Sequence, residues 1–214
     1  MDNTLRITEI FHSLQGETRS VGRPATFVRL TGCPLRCQYC DTTYAFQGGT
    51  TMSQAEILDQ VAAFGAPLVV VTGGEPLAQR AVLPLLTALC DAGYEVFLET
   101  SGALDVAPVD PRVVKVLDLK TPGSGEEARN RWENLAHLAP QDQVKIVVCS
   151  RTDYEWARDV IARHGLAQRC EVLLSPSHGQ INPRELADWI LADRLPVRMQ
   201  IQLHKLLWGD VPGH

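Results

Sequence analysis

The chain has 214 residues, 45% hydrophobic and 21% charged, a length and mix that build a packed core and exclude a largely disordered chain. The formal net charge is −5, and Lys and Arg are scattered with no run longer than a pair, which argues against a phosphate-backbone partner and so against direct nucleic-acid binding. The longest apolar run, Ala66 to Val71, falls far short of the roughly 20 residues that cross a bilayer, and MDNTLRITEI carries an early acid and no apolar h-region. A soluble cytoplasmic protein with no membrane partner is the expectation.

Along the chain the first strand signal is Ala25–Thr31 (ATFVRLT), followed by a helix over Ser53–Phe64 in which Ser53 is the N-cap and Glu56 completes a capping box. Leu68–Thr72 (LVVVT) reads as a buried strand, Gln79–Ala92 as a helix closed by Gly93, and Glu95–Thr100 and Val113–Leu119 as strands. A strand at Val144–Cys149, a helix at Tyr154–His164 closed by Gly165, a strand at Glu171–Leu174, a helix at Pro183–Ala192 with proline in its first turn, and a strand at Val197–Leu203 complete the series. Strands alternating with helices make an α/β protein with a parallel sheet covered by helices, either doubly wound or a partial barrel. No repeat, low-complexity tract or linker interrupts the sequence, so residues 1–214 read as one domain.

Nearly every predicted strand runs into small or polar residues: Gly32-Cys33, Gly73-Gly74-Glu75, Ser101-Gly102, Lys120-Thr121, Ser150-Arg151, Ser175-Pro176 and His204-Lys205. Any one of these is an ordinary turn. Together they predict a shared site along the carboxyl edge of the sheet, where the loops of parallel α/β folds gather.

Three of the six cysteines form Cys33-x-x-x-Cys37-x-x-Cys40 directly after the first predicted strand, while Cys90, Cys149 and Cys170 stand alone and read as small buried hydrophobes. Soft thiolates select zinc or an iron–sulfur cluster. Structural zinc wants a fourth ligand at short spacing, and none follows. Three thiolates on a four-iron cluster instead leave one iron open to a small molecule. The strand Val69–Val71 running into Thr72-Gly73-Gly74-Glu75-Pro76 adds glycines that permit close backbone approach and an acid that can accept from an ammonium group.

With Tyr39 as the aromatic residue before its last cysteine, this loop resembles the hallmark of the radical S-adenosylmethionine (SAM) superfamily. The resemblance implies a partial (β/α)6-type barrel with helices outside, a [4Fe-4S] cluster on Cys33, Cys37 and Cys40, and SAM chelated to the open iron. By the same resemblance Tyr39, Asp41, Gly74, Glu75, Ser101, Gly102, Cys149, Ser150 and Arg151 are expected to bind SAM, with Glu75 on the methionine amino group.

Phe11-x-Ser13-Leu14-Gln15-Gly16-Glu17, Gly22-x-Pro24-x-x-Phe27-Val28-Arg29, Cys40-Asp41-Thr42, Asp118-Leu119-Lys120-Thr121-Pro122, Ser175-Pro176 and Gln202-Leu203-His204-Lys205 are similar to the 7-carboxy-7-deazaguanine synthases. That likeness spans essentially the whole chain. It implies hydrogen abstraction from C6 of 6-carboxy-5,6,7,8-tetrahydropterin by a 5′-deoxyadenosyl radical, ring contraction and loss of ammonia. It further implies Mg²⁺ at Thr42, substrate contacts from Leu14, Gln15, Gly16, Arg29, Thr100 and the C-terminal His214, a homodimer, and an electron donor such as flavodoxin. The sequence departs from the pattern at Thr18, where many members have glycine, and at Tyr39, where tryptophan is frequent. His204, Lys205 and the tail from Trp208 are candidates to close over the substrate, and Asp118 and Lys120 either face the site or form a plain ion pair. Two alternatives stay open at this point: a glycyl-radical activating enzyme, which the Ser13–Glu17 block disfavours, and a non-enzymatic thiolate–metal or electron-transfer module.

Overall fold

The computed structural model describes residues 4–209 and 211–213. Its elements in chain order are β1 (Thr4–Leu14), β2 (Pro24–Leu30), β3 (Thr50–Ser53), α1 (Gln54–Phe64), β4 (Leu68–Gly73), α2 (Val82–Asp91), β5 (Glu95–Thr100), β6 (Val114–Leu119), β7 (Gln143–Val148), α3 (Arg151–His164), α4 (Leu166–Arg169), β8 (Glu171–Pro176), α5 (Pro183–Asp193), β9 (Arg198–Met199) and α6 (Leu203–Trp208). All nine strands join one sheet in the order β3-β1-β2-β4-β5-β6-β7-β8-β9. Pairing is parallel from β2 to β9 and antiparallel where β1 meets β2 and β3. The sheet does not close, which gives the expected partial barrel with helices outside.

The strand β4 shows how the chain is buried on both faces. Val69 and Val71 pack with Leu85, Leu86 and Leu89 of α2 in the larger core. Leu68 and Val70 join Ala25, Phe27, Phe97, Val114 and Val116 in a smaller cluster on the inner face. The capping box of α1 is present, with Ser53 accepting from Glu56 N–H and Glu56 accepting from Ser53 N–H. Among the described residues no helix is long and apolar enough to cross a membrane.

Three expectations need correction. The sheet begins a strand earlier, because Leu5 and Ile7 of β1 are buried in alternation with polar neighbours, and β1 pairs along its length with β2. The helix expected from Gln79 starts at Val82 after a 3-10 turn at Pro76–Ala78. The expected strand Val197–Leu203 shrinks to the two residues of β9: its last ladder bond is Gln200 N–H to Leu174 C=O, after which Leu203 N–H turns to Gly16 C=O and opens α6. In keeping with the sequence pattern, no α-helix follows β5 or β6 among the described residues; buried Asn134 bonds Gly102 C=O, Leu104 C=O and Val106 N–H, and buried Asn130 bonds both backbone groups of Lys120. These two amides satisfy backbone groups that a covering helix would otherwise have shielded.

The β1–β2 connection, residues 15–23, folds as a strap over the inner face. Thr18 N–H donates to Gln200, Arg19 N–H donates to Gln143, and the Arg19 guanidinium lies 5.6 Å from the Phe97 ring centroid. Thr18 takes φ 66°, the left-handed region, which explains why glycine suits this position.

Candidate active site

A cavity of about 430 Å³ opens at the carboxyl edge of the sheet, lined by the ends of β4 to β8, the cysteine loop, the strap and the C-terminal segment. The register sets its wall: Arg29 pairs with Thr72, Glu99 with Val116, and Asp118 with Lys145.

The cysteine loop and the glycine turn after β4 are locked together. Gly74 N–H donates to Leu30 C=O and Glu75 N–H donates to Gly32 C=O, 2.8 Å away. A Cβ on Gly74 would overlap the Gly32 carbonyl oxygen and crowd Cys33, so glycine is required for this approach. Cys33, Cys37 and Cys40 are all partly exposed, unpaired and on the cavity wall. Burial is the main cause of their raised pKa values, with Cys37 pushed up to about 11, and Cys33 and Cys37 also feel the charge of Cys40. Among the described residues no three thiol, imidazole or carboxylate groups converge tightly enough for a single metal ion. Three thiols from one loop with no fourth ligand at short spacing fit a four-iron cluster that leaves one iron open.

Beside the loop, the buried Tyr39 hydroxyl, Asp118 Oδ1 and Ser175 Oγ have no hydrogen-bond partner, and all three residues line the cavity. Buried polar atoms left open in a cavity wall fit a polar ligand such as SAM. Burial raises the Tyr39 hydroxyl pKa, so it stays a donor.

Asp41 and Thr42 present adjacent oxygens, with the Thr42 hydroxyl donating to Asp41 Oδ1 at 2.8 Å. Burial opposes ionisation of Asp41, but Lys205 at 3.2 Å and the Thr42 hydroxyl outweigh it and hold its pKa at about 2. Close by, Arg29 bonds Glu9 at 2.7 Å, Tyr44 donates to the same Glu9 oxygen, and the Arg29 guanidinium lies near the Phe11 and Tyr44 rings.

Of the residues predicted from sequence, Leu14, Gln15, Gly16, Arg29, Cys33, Cys37, Tyr39, Cys40, Asp41, Thr42, Gly74, Thr100 and Ser101 line this one cavity. Glu75, Gly102, Cys149, Ser150 and Arg151 do not. The Glu75 carboxylate is fully buried and accepts from Leu77 N–H, the Thr100 hydroxyl, and both the N–H and the hydroxyl of Ser101. It joins the ends of β4 and β5 and has no room for an ammonium group. Gly102 C=O bonds Arg131 N–H. Cys149 meets Gln38 on the outer side of the cysteine loop, Ser150 caps α3, and Arg151 lies over Tyr154 and Trp189 and pairs with Glu155. The reading of isolated cysteines as buried holds for Cys170, while Cys90 and Cys149 are partly exposed. His214 lies outside the described residues. Gln15 contributes less backbone than expected: its N–H and C=O bond Arg23 and Gly22, and its side chain bridges Glu99 and Glu17 N–H.

Sequence reasoning missed Lys145, Glu9 and Tyr44. Lys145 had a signal, since a lysine inside the apolar run Val144–Val148 is buried only with a partner.

Comparison with known proteins agrees with this geometry. The Radical SAM superfamily model matches residues 27–119. The 7-carboxy-7-deazaguanine synthase of Chlorobaculum tepidum is 52% identical over 208 residues, covering 96% of this chain and 94% of the relative. The chain belongs to the 7-carboxy-7-deazaguanine synthase family. The synthase of Koribacter versatilis is 45% identical, covering 95% of this chain and 97% of its own. The crystal structure of QueE from Escherichia coli superposes with a TM-score of 0.77 at 25% identity, covering 94% of this chain and 95% of that one. Membership brings a [4Fe-4S] cluster and SAM as the family's cofactors and removes the zinc and electron-transfer alternatives.

Proposed function

We propose that the chain converts 6-carboxy-5,6,7,8-tetrahydropterin to 7-carboxy-7-deazaguanine with release of ammonia, as a radical SAM lyase. The observation that carries this reading is one cavity lined both by Cys33, Cys37 and Cys40 and by Gly16, Arg29 and Thr100. When bound on the three thiolates, the cluster and SAM supply the 5′-deoxyadenosyl radical that takes hydrogen from C6. The chain's own residues bind and orient. Arg29, steadied by Glu9 and two aromatic rings, faces the substrate carboxylate. Thr100 commits its hydroxyl proton to Glu75 and accepts from Gly102 N–H, which leaves one lone pair to accept from a ring N–H. Tyr39, Asp41, Gly74 and Ser101 contact SAM directly, whereas Glu75, Gly102, Cys149, Ser150 and Arg151 shape the loops behind it. Thr42 supplies one oxygen to Mg²⁺, with water and substrate completing the shell.

The same reading takes residues 1–214 as one cytoplasmic catalytic unit whose N-terminal segment holds substrate. Exposed Leu206, Leu207 and Val211 support a homodimer. Arg36, exposed in the cysteine loop with its guanidinium on the Cys33 and Leu35 carbonyls, supports an acidic donor such as flavodoxin. No basic stripe supports nucleic acid.

The test is anaerobic turnover after iron–sulfide reconstitution, with reductant, SAM, Mg²⁺ and the carboxypterin, read by mass spectrometry. Formation of both 5′-deoxyadenosine and 7-carboxy-7-deazaguanine is the expected result. 5′-Deoxyadenosine alone would keep the radical chemistry and remove the substrate.

A further inference from the structure

Four charged side chains of alternating sign cross the cavity wall. Lys145 Nζ of β7 lies 2.5 Å from Glu17 Oε2 of the strap and 3.7 Å from Asp118 Oδ2 of β6, which in turn pairs with Lys120 at 2.9 Å. All four residues line the cavity. Burial works against charge on both members of the first pair, yet mutual attraction wins: the Glu17 pKa is lowered and the Lys145 pKa is raised. The pair therefore stands as carboxylate beside ammonium at neutral pH. Glu17 is 7% exposed, and it lines the cavity beside His204, whose charge it feels. A buried ion pair contributes little to stability compared with apolar packing, so its place in a ligand cavity calls for another reason.

The substrate supplies one. The pyrimidinone half of a pterin presents two adjacent donors, the 2-amino group and N3–H, followed by an acceptor, the 4-oxo oxygen. A carboxylate next to an ammonium is the complementary row. We propose that Glu17 and Lys145 read this edge, Glu17 accepting from N3–H and the 2-amino group while Lys145 donates to the 4-oxo oxygen. This assignment rests on the reaction proposed above and names residues that fix its specificity.

Two further observations favour this pair. Of the other carboxylates on this wall, Glu99 already accepts from Gln15 and Thr72 with its two oxygens, and Asp118 is paired with Lys120 at 2.9 Å. The position also suits the length of the substrate. Arg29 on β2 and Lys145 on β7 are separated by β4, β5 and β6, about 19 Å along the sheet at about 4.8 Å per strand. Sheet curvature and two long inward side chains shorten that span toward a bicyclic ring bearing a carboxylate at its far end. Product and substrate share the recognised edge, so the pair binds both.

The experiment compares 7-carboxy-7-deazaguanine with its 2-desamino counterpart by anaerobic titration calorimetry on the reconstituted enzyme with SAM and without reductant. The parent enzyme is expected to prefer the 2-amino ligand by about 10- to 100-fold, the range for hydrogen bonds to a charged group. Glu17→Gln is expected to bring the two ligands within about 3-fold, and Lys145→Met to weaken both about 10-fold or more. Equal binding of the two ligands by the parent overturns the inference without needing either variant to fold, and so does a Glu17→Gln enzyme that keeps the full preference. A parent that binds neither ligand would overturn the substrate assignment and this inference with it.

Discussion

The role of Glu75 is where sequence pattern and structure part most sharply, and removing its carboxylate tests which is right. A glycine-glycine-glutamate turn reads as a SAM-amino contact, yet four donor groups already converge on this side chain. Leu77 N–H donates to Oε1 at 2.9 Å, Ser101 N–H and hydroxyl donate to Oε2 at 2.7 and 2.5 Å, and the Thr100 hydroxyl lies 3.0 Å from both oxygens. In Glu75→Ala the two hydroxyls can rotate to new partners, but the Leu77 and Ser101 N–H groups cannot. Each orphaned buried N–H costs about 1–3 kcal/mol, so about 4 kcal/mol is lost. A domain of this size shifts by about 2–4 °C per kcal/mol, which places the unfolding midpoint about 8–16 °C lower. Glu75→Gln, which keeps one oxygen for the Ser101 side and orphans only Leu77 N–H, should lose about half as much. Thermal unfolding followed by circular dichroism on the protein before reconstitution reads this without any contribution from the cluster or SAM. A Glu75→Ala midpoint within about 2 °C of the parent, with SAM affinity gone, would refute the bracing role and restore the carboxylate as a ligand group.

Other residues separate by what they should lose. Cys37→Ala is expected to abolish cluster assembly, read as loss of bound iron and of visible absorbance, and with it all SAM cleavage; retained iron at the parent stoichiometry would contradict the ligand assignment. Arg29→Ala should keep its iron but weaken the carboxypterin about 10- to 100-fold, the loss of charge-assisted hydrogen bonds, and normal affinity in equilibrium binding would remove Arg29 from the carboxylate site. The Glu17–Lys145 pair gives a pH signature. The folded pKa of Glu17 is lowered from 4.5, so its contribution to stability is present above the unfolded value and is lost as pH falls through the folded one. For Lys145, raised from 10.5, the contribution is full below the unfolded value and is lost as pH rises through the folded one. Denaturant unfolding of the parent and Glu17→Gln should therefore differ by a constant amount between about pH 5 and 10 and converge in acid; a difference that grows on acidification would reverse the sign of the coupling.

The parallel core of the fold was legible because local patterns and tertiary roles agree there. Leu68–Gly73 and Glu95–Thr100 are apolar runs bounded by turns, Ser53 and Glu56 form the box that their spacing announces, and Gly65 and Gly165 stop helices in left-handed conformation. The N-terminal strand was missed because only Leu5 and Ile7 alternate cleanly before a register shift between Ile7 and Glu9 breaks the period. The chain end was misread for the opposite reason. Val197–Leu203 has strand composition, but β9 has one sheet neighbour and its partner β8 pairs with only two of its residues, so the bond from Leu203 N–H to Gly16 C=O decides the direction of the chain.

In the site, residues whose chemistry is local were found and residues whose role depends on a distant partner were not. Three cysteines within one loop declare a metal centre by spacing alone. A glutamate cannot declare from sequence whether its carboxylate will face a ligand or gather the backbone donors of a neighbouring strand end, since Ser101 and Thr100 lie on a different strand from the turn that carries Glu75. Lys145 makes the converse case. Its strand reads as plain core, and only the register that sets it opposite Asp118, together with a strap arriving from residues 15–23, turns a partly buried lysine into half of a charged pair. Both reversals follow from one rule. A buried charge must be paired, but whether its partner is protein or ligand is settled by which loops the sheet order brings to the same edge.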